Sequence, residues 1–224
     1  MELALNIRPA GERVREILYE YIEYSEFDST LGVAVPEIEQ AGLDYLFQGK
    51  VVDLGAGSGK LAELAVKAGA EKVYAVDVAP LPEHTDSDKL QWVYADFADF
   101  SKGMGFSAEA VGMHSCGEVP AEFLKIEKAH KTEFVQAKFD LGLISWPLNK
   151  RHVANMLPAL EKCDKLLLIL GKDKTLGFGT VKLFNYLEQR KIVRTVDTPT
   201  QKCVIYGPPT ADSKKLAESH SFEW

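Results

Sequence analysis

The run VVDLGAGSGKLAELAVKAGAEKVYAVD, Val51 to Asp77, leaves little freedom in how this chain can fold. It sets a short apolar strand, a glycine turn, an amphipathic helix, a second apolar strand and a terminal carboxylate in the order of a βαβ unit. Gly55, Gly57 and Gly59 let the backbone turn sharply into the helix and let a bulky flat ligand approach the main chain closely. Asp77 ends the second strand, where a carboxylate can accept hydrogen bonds from ribose hydroxyls.

The remaining pattern repeats this alternation. Glu12 to Tyr24 carries Val14, Ile17, Leu18, Tyr21 and Ile22 on one helical stripe, and Pro36 suits the first turn of a helix over Glu37 to Phe47 that Gly49 ends. Strands are expected at Lys50 to Leu54, Lys72 to Val76, Leu90 to Ala95, Phe139 to Ser145 and Lys165 to Leu170. Helices are expected at Gly59 to Lys67, Pro120 to Val135, Val153 to Leu160 and Val181 to Gln189. Phe100 to Val119 has no clean period and reads mostly as loop with one short helix. Ile192 to Asp197 and Lys202 to Tyr206, separated by a turn at Thr198 to Gln201, read as an antiparallel pair, and the polar stretch from Thr210 reads as a short helix or tail. Buried strands alternating with helices predict a mostly parallel sheet covered on both faces.

With 224 residues, of which 46% are hydrophobic, the chain can bury its core as one domain. The 33 acidic and 26 basic side chains leave a net charge of -7, which repels phosphate backbones on average. The nearest thing to a basic rim is Asn149 to His152. The N-terminal run has charges among its apolar residues and lacks a signal-peptide core, and no apolar stretch approaches the roughly eighteen residues of a membrane span. A cytoplasmic protein without a membrane partner is expected. Cys116, Cys163 and Cys203 lack the paired spacing of a zinc site or a disulfide frame, so no metal is expected. Cys203 falls in a strand and Cys163 at a helix end, both as packing residues.

These motifs resemble those of the class I S-adenosylmethionine-dependent methyltransferases, over roughly Gly49 to Pro208. VVDLGAGSG looks like that family's first motif, with Asp53 ahead of Gly55, Ala56, Gly57 and Gly59. Asp77, followed by Val78, stands in the ribose-binding place, and Asp96 with Phe97 matches the pair that holds the adenine. The resemblance implies a three-layer Rossmann-like sandwich on a seven-stranded, mostly parallel sheet with a C-terminal antiparallel hairpin. It implies S-adenosyl-L-methionine as cofactor, residues 1–48 as a helical cap, 49–209 as the core and 210–224 as a polar tail, all within one structural domain. Chemistry favours the same cofactor. Asp53 would repel a pyrophosphate but attract a cationic amino-acid moiety, and the spacing is GxGxG rather than the GxGxxG of dinucleotide sites.

In this family the acceptor reaches the methyl donor at the exit of the fourth strand, here Ser145-Trp146-Pro147-Leu148-Asn149. Amino methyltransferases carry Asn/Asp/Ser-Pro-Pro-aromatic at that place, which this run matches only in part. Ser145 can orient an amine, Trp146 can stack on a planar or cationic acceptor, and Pro147 ends the strand. The expected activity is methyl transfer to a nitrogen or other nucleophile of a small planar or polar molecule. The alternatives are a nucleic-acid amino methyltransferase and a non-catalytic binding or assembly protein on the same fold. His114 and Cys116 are a weaker nucleophile-and-base pair, and Tyr19, Tyr21, Tyr24, Phe27 and Asp28 are candidate lid residues. Lys172 and Lys174 lie in a segment that lacks the order of a phosphate loop and is expected to be a connection bordering the acceptor, its lysines either solvated loop charges or contacts for an acidic substrate.

Overall fold

A computed structural model describes residues 33–77, 87–95, 97–102, 138–145, 155–172 and 181–219. The elements in chain order are α1 (Val35–Gln40), β1 (Lys50–Leu54), α2 (Lys60–Lys67), β2 (Lys72–Asp77), β3 (Leu90–Tyr94), α3 (Phe97–Lys102) and β4 (Phe139–Ser145). They continue with α4 (Leu157–Leu160), β5 (Cys163–Gly171), α5 (Val181–Glu188), β6 (Ile192–Asp197), β7 (Gln201–Tyr206) and α6 (Ala211–Ser219). The strands form one seven-stranded sheet in the order β3-β2-β1-β4-β5-β7-β6. The first five are mutually parallel, and β7 runs antiparallel between β5 and β6. The order reverses direction between β1 and β4, so a crevice opens beyond the carboxyl ends of those strands, where such sheets hold ligands.

The period of two along each strand explains the layers. Val51, Val73, Ala75, Leu141, Leu143, Leu167, Ile169, Cys203 and Ile205 fill one core, with Ile38, Phe47, Leu61, Leu64 and Trp92. Their strand neighbours Val52, Leu54, Val76, Phe139, Ile144, Leu166, Leu168, Val204 and Tyr206 fill the other, with Phe100, Leu157, Leu160, Tyr186 and Leu187. The missing side chain of Gly142 on β4 leaves room for the side chains of Cys163 and Leu166 on β5. A Cβ there would lie 2.8 Å from both Cys163 Sγ and Leu166 Cδ2.

The differences from the sequence reading have local causes. The helix expected over Glu37 to Phe47 stops at Gln40, because Gly42 takes a φ of 62° and a separate 3-10 turn follows at Asp44–Leu46. The short helix allowed from Phe100 onward begins earlier, at Phe97, and runs to Lys102; of the helix expected over Val153 to Leu160, the described part is helical at Leu157–Leu160. Cys163 opens β5 rather than ending a helix, and burial pushes its thiol up to about 12. The stretch after Thr210 is a helix started by a reciprocal cap. Ser213 Oγ accepts the Thr210 amide at 2.9 Å, and Thr210 Oγ1 accepts the Ser213 amide at 3.1 Å. The expected helices at Glu12 to Tyr24 and Pro120 to Val135 lie outside the described residues.

Arg190 ties the sheet's amino edge together. It is 3% exposed and donates to the carbonyls of Gly207 (2.8 Å), Leu160 (3.1 Å) and Cys163 (2.8 Å), and to the Tyr186 hydroxyl at 3.1 Å. Replacing Arg190 by Met leaves three buried carbonyls without this donor, at about 1 kcal/mol or more each, so a loss of about 3 kcal/mol is expected in urea unfolding. An unchanged midpoint would show that the side chain carries no such load.

Candidate functional site

The site is built where β1 and β2 end. Leaving β1 at Leu54, the chain turns through three glycines in the left-handed region, Gly55 at φ 81°, Gly57 at 54° and Gly59 at 76°. Any other residue type is strained at such angles. The Val76 carbonyl, on β2, accepts the amides of Gly55 at 2.9 Å and Ala56 at 3.1 Å, and the Ala56 carbonyl accepts that of Gly59 at 2.8 Å. Asp77 completes the turn, its Oδ2 accepting the Gly57 amide at 2.8 Å. Gly59 then leads directly into α2, whose Leu61, Ala62, Leu64 and Ala65 are buried.

Two of these glycines border open space differently. Among the described residues, a Cβ on Gly57 would meet nothing within 4 Å, whereas one on Gly55 would meet the Phe97 ring at 3.7 Å. The half-buried Phe97 therefore forms a wall beside an open turn, with Asp77 on its β2 side.

Asp53 is the unusual residue. It lies on β1, on the face it shares with Val51, and is 1% exposed, and neither carboxylate oxygen reaches full hydrogen-bond geometry with any of the described residues. Burial, reinforced by the negative charge of Asp77, pushes its carboxyl up to about 7, and the Ala62 amide offsets this only in part. A buried acid so weakly bonded, beside a second acid, is costly unless something cationic or a donor comes to it.

The other expected site residues divide sharply. Asp53, Gly55, Ala56, Gly57, Gly59, Asp77 and Phe97 are brought to one edge of the sheet. Ser145 is the half-buried last residue of β4, on the same edge, paired in register with Ile169. Val78, Asp96, Trp146 and Pro147 lie outside the described residues, as do His114, Cys116, Lys174 and the N-terminal aromatic residues. Asp140, the second residue of β4, belongs to the opposite edge, where its Oδ2 accepts the Lys50 amide at 2.7 Å.

Lys172 is engaged within the protein. Its ammonium donates to the Thr198 carbonyl and lies 3.7 Å from Asp197. It belongs to a polar cluster at the carboxyl edge that had no local signal in the sequence. Glu37 accepts the Thr198 hydroxyl, the Thr200 amide at 3.1 Å and the Thr200 hydroxyl at 2.9 Å. Thr198 above all holds the Glu37 carboxyl below its ordinary range. Buried Gln201 accepts the Ala34 amide at 3.0 Å and donates to the Ala34 carbonyl at 3.2 Å. These partners are more than 160 residues apart in sequence, so no spacing pattern could reveal them.

No protein-family model matches the chain, and no curated protein is significantly similar to it. Solved structures do match. The Burkholderia thailandensis 1,6-didemethyltoxoflavin-N1-methyltransferase, solved with 1,6-didemethyltoxoflavin and S-adenosylhomocysteine, aligns at a TM-score of 0.54 and 13% identity, covering 93% of this chain and 94% of its own. A candidate type 11 methyltransferase from Sulfolobus solfataricus aligns at 0.48 and 12% identity, over 79% of this chain and 94% of its own.

The Asp53 environment makes a stability prediction. A carboxyl raised in the folded state favours folding below its unfolded value of 3.8, and that contribution is lost as pH climbs to about 7. Asp53→Asn, neutral throughout, should match the wild type near pH 4 and exceed it by about 2 to 4 kcal/mol at pH 8 in chemical unfolding. A constant difference across that window would show that Asp53 ionises normally. By strand order, hairpin and glycine turn, and by its likeness to a solved methyltransferase, this chain has a Rossmann-like methyltransferase fold.

Proposed function

We propose that the protein is an S-adenosyl-L-methionine-dependent methyltransferase acting in the cytoplasm on a nitrogen or other nucleophile of a small planar or polar acceptor. The observation that carries this reading is the pair of acids at the glycine turn, one bonded to the turn and one buried with no full hydrogen bond from the described residues. The Asp77 carboxylate opposes a pyrophosphate, and the two acids together favour a ligand with sugar hydroxyls at one end and an ammonium at the other. That pattern belongs to a nucleoside joined to an amino acid, the kind of ligand named in the toxoflavin enzyme's structure.

The residues fit that ligand class. Asp77 would accept the ribose hydroxyls, the open space over Gly57 would receive the sugar, Phe97 would flank the base with Asp96, and Asp53 would face the amino-acid end. Bound there, S-adenosylmethionine supplies a methyl group on a sulfonium, already an activated donor. The protein's own task is then alignment and proton removal. Ser145, at the exit of β4, would accept a hydrogen bond from the acceptor's nucleophile, with Trp146 stacking on its plane and Pro147 fixing the turn. Residues 1–48 would cap the acceptor side, supported by the bonds from Ala34 and Glu37 to the β6–β7 turn. The net charge of -7 disfavours a nucleic-acid acceptor.

Calorimetry with S-adenosylmethionine, S-adenosylhomocysteine and NAD should show binding of the first two only; preferential binding of NAD would overturn the cofactor class. Methyl-labelled cofactor incubated with small amines, phenols and planar heterocycles should label at least one class, and an unlabelled panel with tight cofactor binding would favour a non-catalytic protein. Asp77→Ala should weaken cofactor binding by about 1 to 3 kcal/mol, with Asp77→Asn intermediate because it keeps an acceptor for the Gly57 amide. An unchanged dissociation constant in Asp77→Ala would remove the ribose role.

A further inference from the structure

Among the described residues, the Asp53 carboxyl is flanked by apolar side chains and by one other acid. Its register neighbours are Ala75 on β2 and Leu143 on β4, both apolar and fully buried. From the end of β2 it faces the carboxylate of Asp77, whose Oδ2 is committed to the Gly57 amide, and from α2 it faces the Ala62 amide. Among the described residues the charge acting on it is that of Asp77, and it is negative. An ionised Asp53 in the free site would therefore have, among the described residues, the weak help of the Ala62 amide and no counter-ion, in a place closed to bulk solvent. The neutral acid escapes the cost of burying a charge and the repulsion from Asp77, leaving the smaller cost of an unpaired polar group.

We infer that Asp53 couples ligand binding to a proton: it is held as the neutral acid in the free site, and ionises when the ammonium of an adenosyl amino acid arrives beside it. The inference rests on the cofactor reading above. In this exchange the O–H bond of Asp53 breaks and its proton goes to solvent. The ligand's ammonium keeps its hydrogens, and no electrons are transferred. The site ends as a carboxylate paired with a cation, and that attraction offsets the cost of burying the charge.

This exchange fixes how affinity depends on pH. Burial and Asp77 place the free-site titration near 7, so affinity for the ammonium ligand should rise about tenfold per pH unit below that point. Above about pH 8 the free ligand's own amino group loses its charge and affinity should fall again. A nucleoside that lacks the amino-acid moiety has nothing to ionise Asp53, and its affinity should be flat over the same range. The device would make the site respond to acidification within the physiological window, although it contains no histidine among the described residues.

The test is calorimetric titration of the full chain at pH 6 with S-adenosylhomocysteine and, separately, with 5′-methylthioadenosine, each in phosphate and in imidazole buffer. The different ionisation enthalpies of the buffers report the protons released per ligand bound. Nearly one proton should leave with S-adenosylhomocysteine and none with methylthioadenosine, and the Asp53→Asn protein should release none with either. Should that variant bind too weakly to titrate, the two ligands on the wild type decide alone. Binding of S-adenosylhomocysteine without proton release, or equal release from Asp53→Asn, overturns the coupling and leaves the cofactor reading standing. Failure of both ligands to bind at any pH removes the cofactor reading, and the coupling with it.

Discussion

A single hydrogen bond, from the Gly57 amide to Asp77 Oδ2, fixes the geometry on which the candidate site depends. It joins the turn that follows β1 to the end of β2, so the parallel pairing of these strands and the shape of the glycine turn are determined together. The Val76 carbonyl does the same one residue earlier by accepting two amides of the turn. The left-handed angles at Gly55, Gly57 and Gly59 make such a turn affordable only to glycine. What results is a concave stretch of main chain, open above Gly57, with carboxylates at two of its corners.

That arrangement divides the two acids by role. Asp77 is held by the turn and presents a charge that is already bonded. Asp53 contributes nothing to the fold that an apolar residue of its size would not, and it imposes a burial cost with no full hydrogen bond from the described residues in return. A residue that weakens the free protein at neutral pH makes physical sense where its charge is wanted for something that binds. The rest of the fold supports this corner from a distance. Two apolar layers clamp the sheet, Gly142 leaves room for side chains of β5, and Arg190 gathers carbonyls at the opposite edge.

Most of the sheet was legible because its strands are short, apolar and bounded by glycine or acidic residues. Val51 to Leu54, Leu141 to Ile144 and Leu166 to Leu170 alternate between the two cores with the period their side chains require. The glycine turn and Asp77 were legible for a different reason, since strained backbone angles and a strand-end acid leave a signature in residue type alone. Three things were not legible. The break in the helix after Gln40 depends on Gly42 adopting a left-handed angle, which a helical stripe does not reveal. The contacts of Glu37 and Gln201 with partners far along the chain are tertiary and carry no local spacing. The isolation of Asp53 is a matter of burial and of what surrounds it, and the motif alone shows only that an acid is present.

The central claim is that the corner between β1 and β2 receives a nucleoside joined to an amino acid. A crystal structure of the protein grown with S-adenosylhomocysteine tests it most directly. The account predicts the sugar over Gly57 with its hydroxyls on Asp77, the base beside Phe97 and the ammonium turned toward Asp53. Ligand bound elsewhere on the molecule, or seated at this corner with its amino-acid end pointing away from Asp53, would contradict it.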